Sequence, residues 1–360
     1  MENRKFTKIV QLTLSGLCAA VLLTGCGQGA AVSGSSEAEQ EAVIPVEQEL
    51  VHDYTSPAGL QVEPGAYVAV VVKGLGENNY WKIIRQGVEA AVSDVNEAMG
   101  FTDSSEIRLT FEGPSEEGNE EEQINTLDTV LAENPAVLCL AAADMESCQA
   151  QLETARDNEI PVLILDAGVE SSLVTAVCQT DNEAAGREAG KRLCEKLNGT
   201  GRVALVCHEP KAETAALRSQ GFRSALEEYP GIELVCIVEP DDEYSLEEKM
   251  AAMQEEYPDL DGIFSTNESS SDLVLQLYEQ EEEIPVLVGF DNGTEQIRAI
   301  RDGVEYGCIS QNPYTMGYAV VIAALRAAAG EEIDSFIDTG YIWIDQSNID
   351  DPDTQMYLYD

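Results

Sequence analysis

Two α/β lobes in tandem, each a doubly wound parallel sheet with helices on both faces, are the architecture this sequence predicts. Three observations carry the expectation. Short β-branched runs alternate with helical segments of one to two dozen residues from Tyr67 onward. The pattern of one half returns in the other. Polar turns bearing Asp or Asn follow several of the buried runs, and those are the positions at which open parallel sheets hold ligands.

The chain begins differently. Arg4, Lys5 and Lys8 precede an apolar run from Ile9 to Leu23, too short and too rich in small residues for a comfortable membrane span. It ends in Leu23-Thr24-Gly25-Cys26, which resembles the lipobox of bacterial lipoproteins. That resemblance implies an export signal over residues 1–26 and a lipid on Cys26, placing the rest at the extracellular face of the membrane. Residues 27–64 read as a flexible tether, with Gly, Ser, Ala and Glu in "GQGAAVSGSSEAEQEA".

Strand-like runs then follow at Val68–Val72, Arg108–Phe111, Ala136–Leu140, Val162–Leu165 and Val174–Cys178. They continue at Val203–Cys207, Leu234–Val238, Gly262–Phe264, Val286–Val288 and Gly307–Ile309. Continuous apolar runs, rather than alternating ones, mark strands covered on both faces. Tyr318–Ala329 is apolar but interrupted by Arg326, and reads as a buried amphipathic helix. The echo between halves is explicit: "NEIPVLILDAGVES" from Asn158 and "EEIPVLVGFDNGTE" from Glu282 share a helix end, Ile-Pro, a buried strand, Asp and a turn. "NPAVLCLAAAD" and "YPDLDGIFSTNES" match in role upstream.

Composition removes some functions. Twenty Lys and Arg against 67 Asp and Glu give a net charge of −47, which repels nucleic-acid phosphates and anionic lipid. Of nine cysteines, seven follow Cys26, irregularly spaced and without CxxC, so buried free thiols are expected rather than a zinc or redox site. The loop at Gly74-Leu75-Gly76 looks like a phosphate cradle, but the third glycine of a dinucleotide fingerprint is Asn79, no Gly-Lys-Ser/Thr follows, and Glu77 opposes a phosphate. The loop instead offers Asn78, Tyr80 and Trp81, an amide and flat apolar faces that suit the C–H faces and hydroxyl rims of sugars. One of the two aromatics is expected to face a cleft and the other to support it.

Taken together, "NNYWKIIRQGVEAA", "IPVLILDAG", "QTDNEAAGREAGKRL", "RSQGFRSAL", "DGIFSTNESSSDLVLQL", "IPVLVGFDN" and "CISQNPYTMGYAVVIAAL" resemble, in order, the type I periplasmic binding proteins of the sugar-binding branch. The resemblance spans nearly all of residues 67–345. It implies two lobes joined by three hinge crossings, near Thr180-Asp181, Gln311-Asn312 and Gly340-Tyr341, so that residues 65–180 plus 312–340 form one lobe and 181–311 plus 341–360 the other. It places ligand contacts at Asn78, Tyr80, Trp81, Asp166, Asn267, Asp291 and Gln311. Asp166 and Asp291 could instead cap turns, though the echo between lobes favours ligand contact, and Asn267 and Gln311 could equally be loop or helix caps. The chain departs from the family pattern at Ala167 and Ala216, where Arg is common, and Arg218 reads as structural. Lys211, Glu213 or Thr214 are possible substitutes. With Glu77, Asp166 and Asp291 and few cations nearby, a neutral polyol fits, or an amino-bearing compound, but not an anion.

Only His52 and His208 exist, and no nucleophile elbow appears, so binding without turnover is expected rather than catalysis. The implied role is capture of a small neutral solute by hinge closure and delivery to an ABC permease, as a monomer and without cofactor or metal. The alternative is a sensing module that presents its closed form to a membrane kinase or chemoreceptor.

Overall fold

Tyr67–Val71 (β1) is apolar at every position and buried at every position, as a strand covered on both faces must be. The computed structural model to which it belongs describes residues 52–76, 79–169, 171–281 and 283–359. Cys26 and the export segment lie outside these residues. After β1 come α1 (Asn79–Met99), β2 (Arg108–Glu112), α2 (Glu120–Ala132), β3 (Val137–Leu140), α3 (Gln149–Asp157), β4 (Val162–Leu165) and β5 (Ala176–Gln179). The chain then passes into α4 (Asn182–Lys196), β6 (Thr200–Val206), α5 (Glu213–Leu226), β7 (Gly231–Val238), α6 (Leu246–Glu256) and β8 (Gly262–Ser265). It continues through α7 (Glu268–Tyr278), β9 (Val286–Phe290), α8 (Thr294–Asp302) and β10 (Glu305–Gln311). The last elements are α9 (Pro313–Ala328), β11 (Phe336–Asp338), β12 (Tyr341–Asp345) and α10 (Pro352–Gln355).

The strands form two six-stranded sheets, ordered β2-β1-β3-β4-β5-β11 and β7-β6-β8-β9-β10-β12. The two orders are the same, which is the echo of the sequence in three dimensions. In each sheet the chain leaves the first strand one way and returns on its other side, creating the switch point beside which ligands sit. The expected α/β architecture of two parallel-sheet lobes is what forms. All ten expected strands are present. Two were not expected, β11 and β12, which lie at sheet edges on either side of Gly340; β12 runs antiparallel to β10.

Each sheet buries both faces. Helices α1 and α9 cover one face of the first sheet over a core that includes Ile84, Val88, Val320 and Ile322; Leu127, Leu131 and Leu152 of α2 and α3 cover the other. In the second sheet, Phe222 stacks on Phe264 at 4.8 Å, and Met250, Met253 and Val274 pack on the opposite face. One helix pair in each lobe packs at very close range. A Cβ on Gly87 of α1 would lie 2.1 Å from the Tyr314 carbonyl oxygen, and one on Gly317 of α9 would lie 2.1 Å from that of Ile84. Helices α4 and α5 repeat the device in the second lobe with Gly186 and Gly221.

The tether expected to reach residue 64 is shorter in the fold. Tyr54 and Leu60 are buried in the first lobe's core, Tyr54 donates to Asp334 at 2.7 Å, and Arg326 binds the Ala58 carbonyl at 2.9 Å. An aromatic and a leucine spaced six apart among polar residues found apolar surface to cover. All seven described cysteines are free thiols, and six are buried.

Candidate ligand cleft

The carboxyl ends of the two sheets meet at one cavity of about 810 Å³, lined from both sides. Among the expected residues, Tyr80, Trp81, Asp166, Asn267, Asp291 and Gln311 all line it. Asn78 lies outside the described residues; its neighbour Asn79, which opens α1, is in the wall.

Asp166 directly follows β4 and Asp291 directly follows β9, both buried, and both in the left-handed region at φ 66° and 67°. Asp tolerates that conformation better than most residues, though at some cost in strain. Each backbone N–H is fixed by the neighbouring strand: Asp166 to the Cys178 carbonyl at 3.0 Å, Asp291 to that of Ile309 at 2.7 Å. The side chains are joined across the lobes. Tyr80 donates its hydroxyl to Asp166 Oδ1 at 2.7 Å and lies 3.5 Å from Gln311 Oε1; Gln311 Nε2 donates to Asp291 Oδ1 at 2.7 Å. Burial pushes the Asp166 carboxyl up, against the pull of Lys73 and Arg218. Burial, and then the Asp166 charge, push the Tyr80 phenol well above its usual range, so it stays a donor.

Both aromatics line the cleft, where one had been expected to stand behind it. The Tyr80 hydroxyl is committed to Asp166. Trp81 closes a small cluster in which Lys73 pairs with Glu117 at 3.0 Å and lies 5.9 Å from the indole ring. Lys73 holds the Glu117 carboxyl low against burial, helped by a hydrogen bond from Trp81. Nothing in the local sequence pattern marked Lys73 or Glu117, because they meet only when the loops after β1 and β2 converge.

Arg218 corrects the expectation of a cleft short of donors. Ala216 is exposed on the outer face of α5, whereas Arg218, two residues on, is buried and lines the cavity. It donates to Asn182 Oδ1 and the Thr266 carbonyl, both at 2.8 Å, stacks on Phe290 at 3.6 Å and stands 4.0 Å from Asp291. Two cations, Lys73 and Arg218, therefore face the two strand-end carboxylates. Acidic groups still outnumber them in the wall. Burial, with Asp291, Asp272 and Glu117, raises Glu268 to about 7, and burial with Glu295 raises Asp272 to about 6.

Asn267 is the N-cap of α7: its Oδ1 accepts from the Ser270 N–H at 2.9 Å and its Nδ2 donates to Ser269 at 2.9 Å. The cap role is thus realised, beside a place in the cavity wall. His208 also reaches the wall, its Nδ1 2.7 Å from Thr266 Oγ1. Burial, then Arg218 and Lys73, hold its pKa well below the ordinary value, so the ring is neutral at pH 7. Glu213 of α5 reaches across to the first lobe, where a Cβ added to Gly168 would lie 1.9 Å from its Oε2.

A model of the periplasmic binding protein domain matches residues 68–332. The chain belongs to this family. Among curated relatives, this periplasmic binding protein is 22% identical to the ribose import binding protein RbsB of Haemophilus influenzae over 218 residues, 60% of this chain and 74% of that one. Among solved structures it superposes with TM-score 0.72 on a carbohydrate transporter solute-binding protein of Agrobacterium radiobacter in complex with D-arabinose, at 22% identity over 81% of this chain and 98% of that one. It superposes with TM-score 0.70 on GanP, a glucose-galactose binding protein of Geobacillus stearothermophilus, at 25% identity over 79% and 99% of the two chains. The expected kinship with type I periplasmic binding proteins of the sugar-binding branch is borne out.

Proposed function

We propose that this periplasmic binding protein is a lipid-anchored extracellular receptor that traps a small neutral polyhydroxylated solute, a sugar or polyol, and hands it to an ABC permease without altering it. The observation that carries the reading is the pair Asp166 and Asp291, one strand-end carboxylate from each lobe, facing a single cavity. Ionised carboxylates accept hydroxyl protons in short, charge-assisted bonds and discriminate against deoxy analogues. A ligand that touches both lobes stabilises the arrangement in which both touch it, which is hinge closure. The ribose and arabinose named for the relatives support a sugar; the predominance of acidic groups in the wall supports a ligand without negative charge. The Leu23-to-Cys26 motif supports the anchor.

A thermal-shift screen of the purified protein against pentoses, hexoses, polyols, nucleosides and amino sugars tests the reading. A true ligand at about a hundred times its dissociation constant adds roughly 2.7 kcal/mol of stability. Protection by nucleosides and none by any sugar or polyol would overturn the assignment. For the anchor, Cys26→Ser should move the protein from the membrane fraction to the soluble one.

A further inference from the structure

Tyr359 is among the largest fully buried side chains of the described chain, 2% exposed, yet it belongs to neither sheet. Its ring packs on that of Tyr80 at 5.5 Å and joins the first lobe's core. Its polar atoms go to the other lobe. The hydroxyl donates to Asp291 Oδ1 at 3.2 Å and accepts from the Gln311 N–H at 3.1 Å, and the backbone N–H donates to Asn292 Oδ1 at 2.8 Å. Two residues earlier, the Tyr357 carbonyl accepts from Asn292 Nδ2 at 2.9 Å and Ser310 Oγ at 2.7 Å. The segment is therefore fastened to the ends of β9 and β10 while its ring lies against α1.

The arrangement mirrors the one around Asp166. Each strand-end aspartate receives a phenol on its Oδ1, Tyr80 on Asp166 and Tyr359 on Asp291, and the two phenol rings pack together. On Asp291 the hydroxyl shares Oδ1 with Gln311 Nε2, which leaves Oδ2 to the Glu268 N–H at 3.3 Å, to Arg218 Nη1 at 4.0 Å and to the cavity. We infer that Tyr359 is a positioning residue: through Tyr80 and Gln311 it couples the placement of the Asp291 carboxylate to the relative position of the two lobes at the hinge. Movement of one lobe against the other must slide the Tyr80–Tyr359 contact or break the bonds that hold Asp291 and Gln311, so the second carboxylate is aimed only in a particular lobe arrangement. The role of Asp291 as a ligand contact rests on the proposed function; the coupling itself does not.

Tyr359→Phe tests this, because it removes the hydroxyl and keeps the ring in the core. Without ligand, small-angle X-ray scattering should show a broader distribution of radius of gyration, with alternative lobe arrangements populated at least about tenfold more, the effect of losing the hydrogen bond to the Asp291 carboxylate together with the one from the Gln311 N–H. The melting temperature should fall less than in Tyr359→Ala, which also empties the site. An unchanged scattering profile in Tyr359→Phe overturns the inference. In a second arm, D-ribose, D-arabinose, D-glucose and xylitol are titrated by calorimetry. Whichever binds the parent should bind Tyr359→Phe about tenfold more weakly; equal affinity overturns the aiming of Asp291. If the parent binds none of the four, the sugar reading is what suffers, and the ligand-free scattering still decides the coupling.

Discussion

Asp166 and Asp291 are equivalent in sequence and in backbone conformation, but their surroundings predict different responses to truncation. Asp166→Ala removes the carboxylate that accepts from one buried phenol, Tyr80, and should weaken ligand binding by tenfold to a hundredfold, the range for a hydrogen bond to a charged group. Its unliganded stability should fall by about 1–3 kcal/mol, for that one buried partner. Asp291→Ala strands both the Gln311 amide and the Tyr359 hydroxyl in a buried site, so it should lose stability by about 1–3 kcal/mol for each as well as affinity. Calorimetric titration beside urea denaturation separates the two effects. Glu305 offers a pH test. It is 2% exposed, Gln296 donates to its Oε1 at 3.2 Å, and burial raises its pKa to about 8 from 4.5. The folded state then holds this proton more tightly than the unfolded chain between those values, so stability falls as pH rises through that window, by on the order of 1 kcal/mol per pH unit. In Glu305→Gln the decline between pH 5 and 8, read from urea midpoints, should flatten.

At the scale of elements, the glycine contacts between helices make a sharper prediction than any core side chain. A methyl on Gly87 would lie 2.1 Å from a backbone carbonyl that cannot move without shifting α9. Gly87→Ala should therefore cost at least 1–3 kcal/mol, the usual penalty of overpacking, and lower the urea midpoint accordingly. Gly330, with nothing within 4 Å of an added Cβ, is a control for volume but not for backbone, since its φ is 76°. The helices themselves were legible from their periodicity. Their partners were not: nothing in "RQGVEAA" says that the helix meets α9 rather than α2, because a small residue on a helix face records a close approach without recording to what.

For the whole molecule, the net charge of −47 makes the folded chain repel itself. Raising salt from about 10 mM to about 500 mM shortens the Debye length from roughly 30 Å to below 10 Å, so the melting temperature at pH 7 should rise with salt. A chain whose melting temperature fell over that range would owe more to its surface ion pairs than to the relief of repulsion. The pairs themselves are mostly exposed and isolated, such as Arg85 with Glu89, and contribute little each.

Periodicity and repetition determined much on their own. Buried strands must be apolar along their length and helices must carry an apolar stripe, so the first ten strands, the two-lobe plan and the strand-end aspartates could be read before any coordinates. The tertiary structure alone decided what depends on direction and on distant neighbours. Three-residue β11 is too short to show a period. Arg218 differs from Ala216 only by the turn of a helix, which sends one inward and the other out. Lys73 and Glu117, and Tyr359 with Asp291, meet only after the loops converge. A residue's type reveals whether it prefers burial or water, but which group it finds there is settled by the fold that brings the two together.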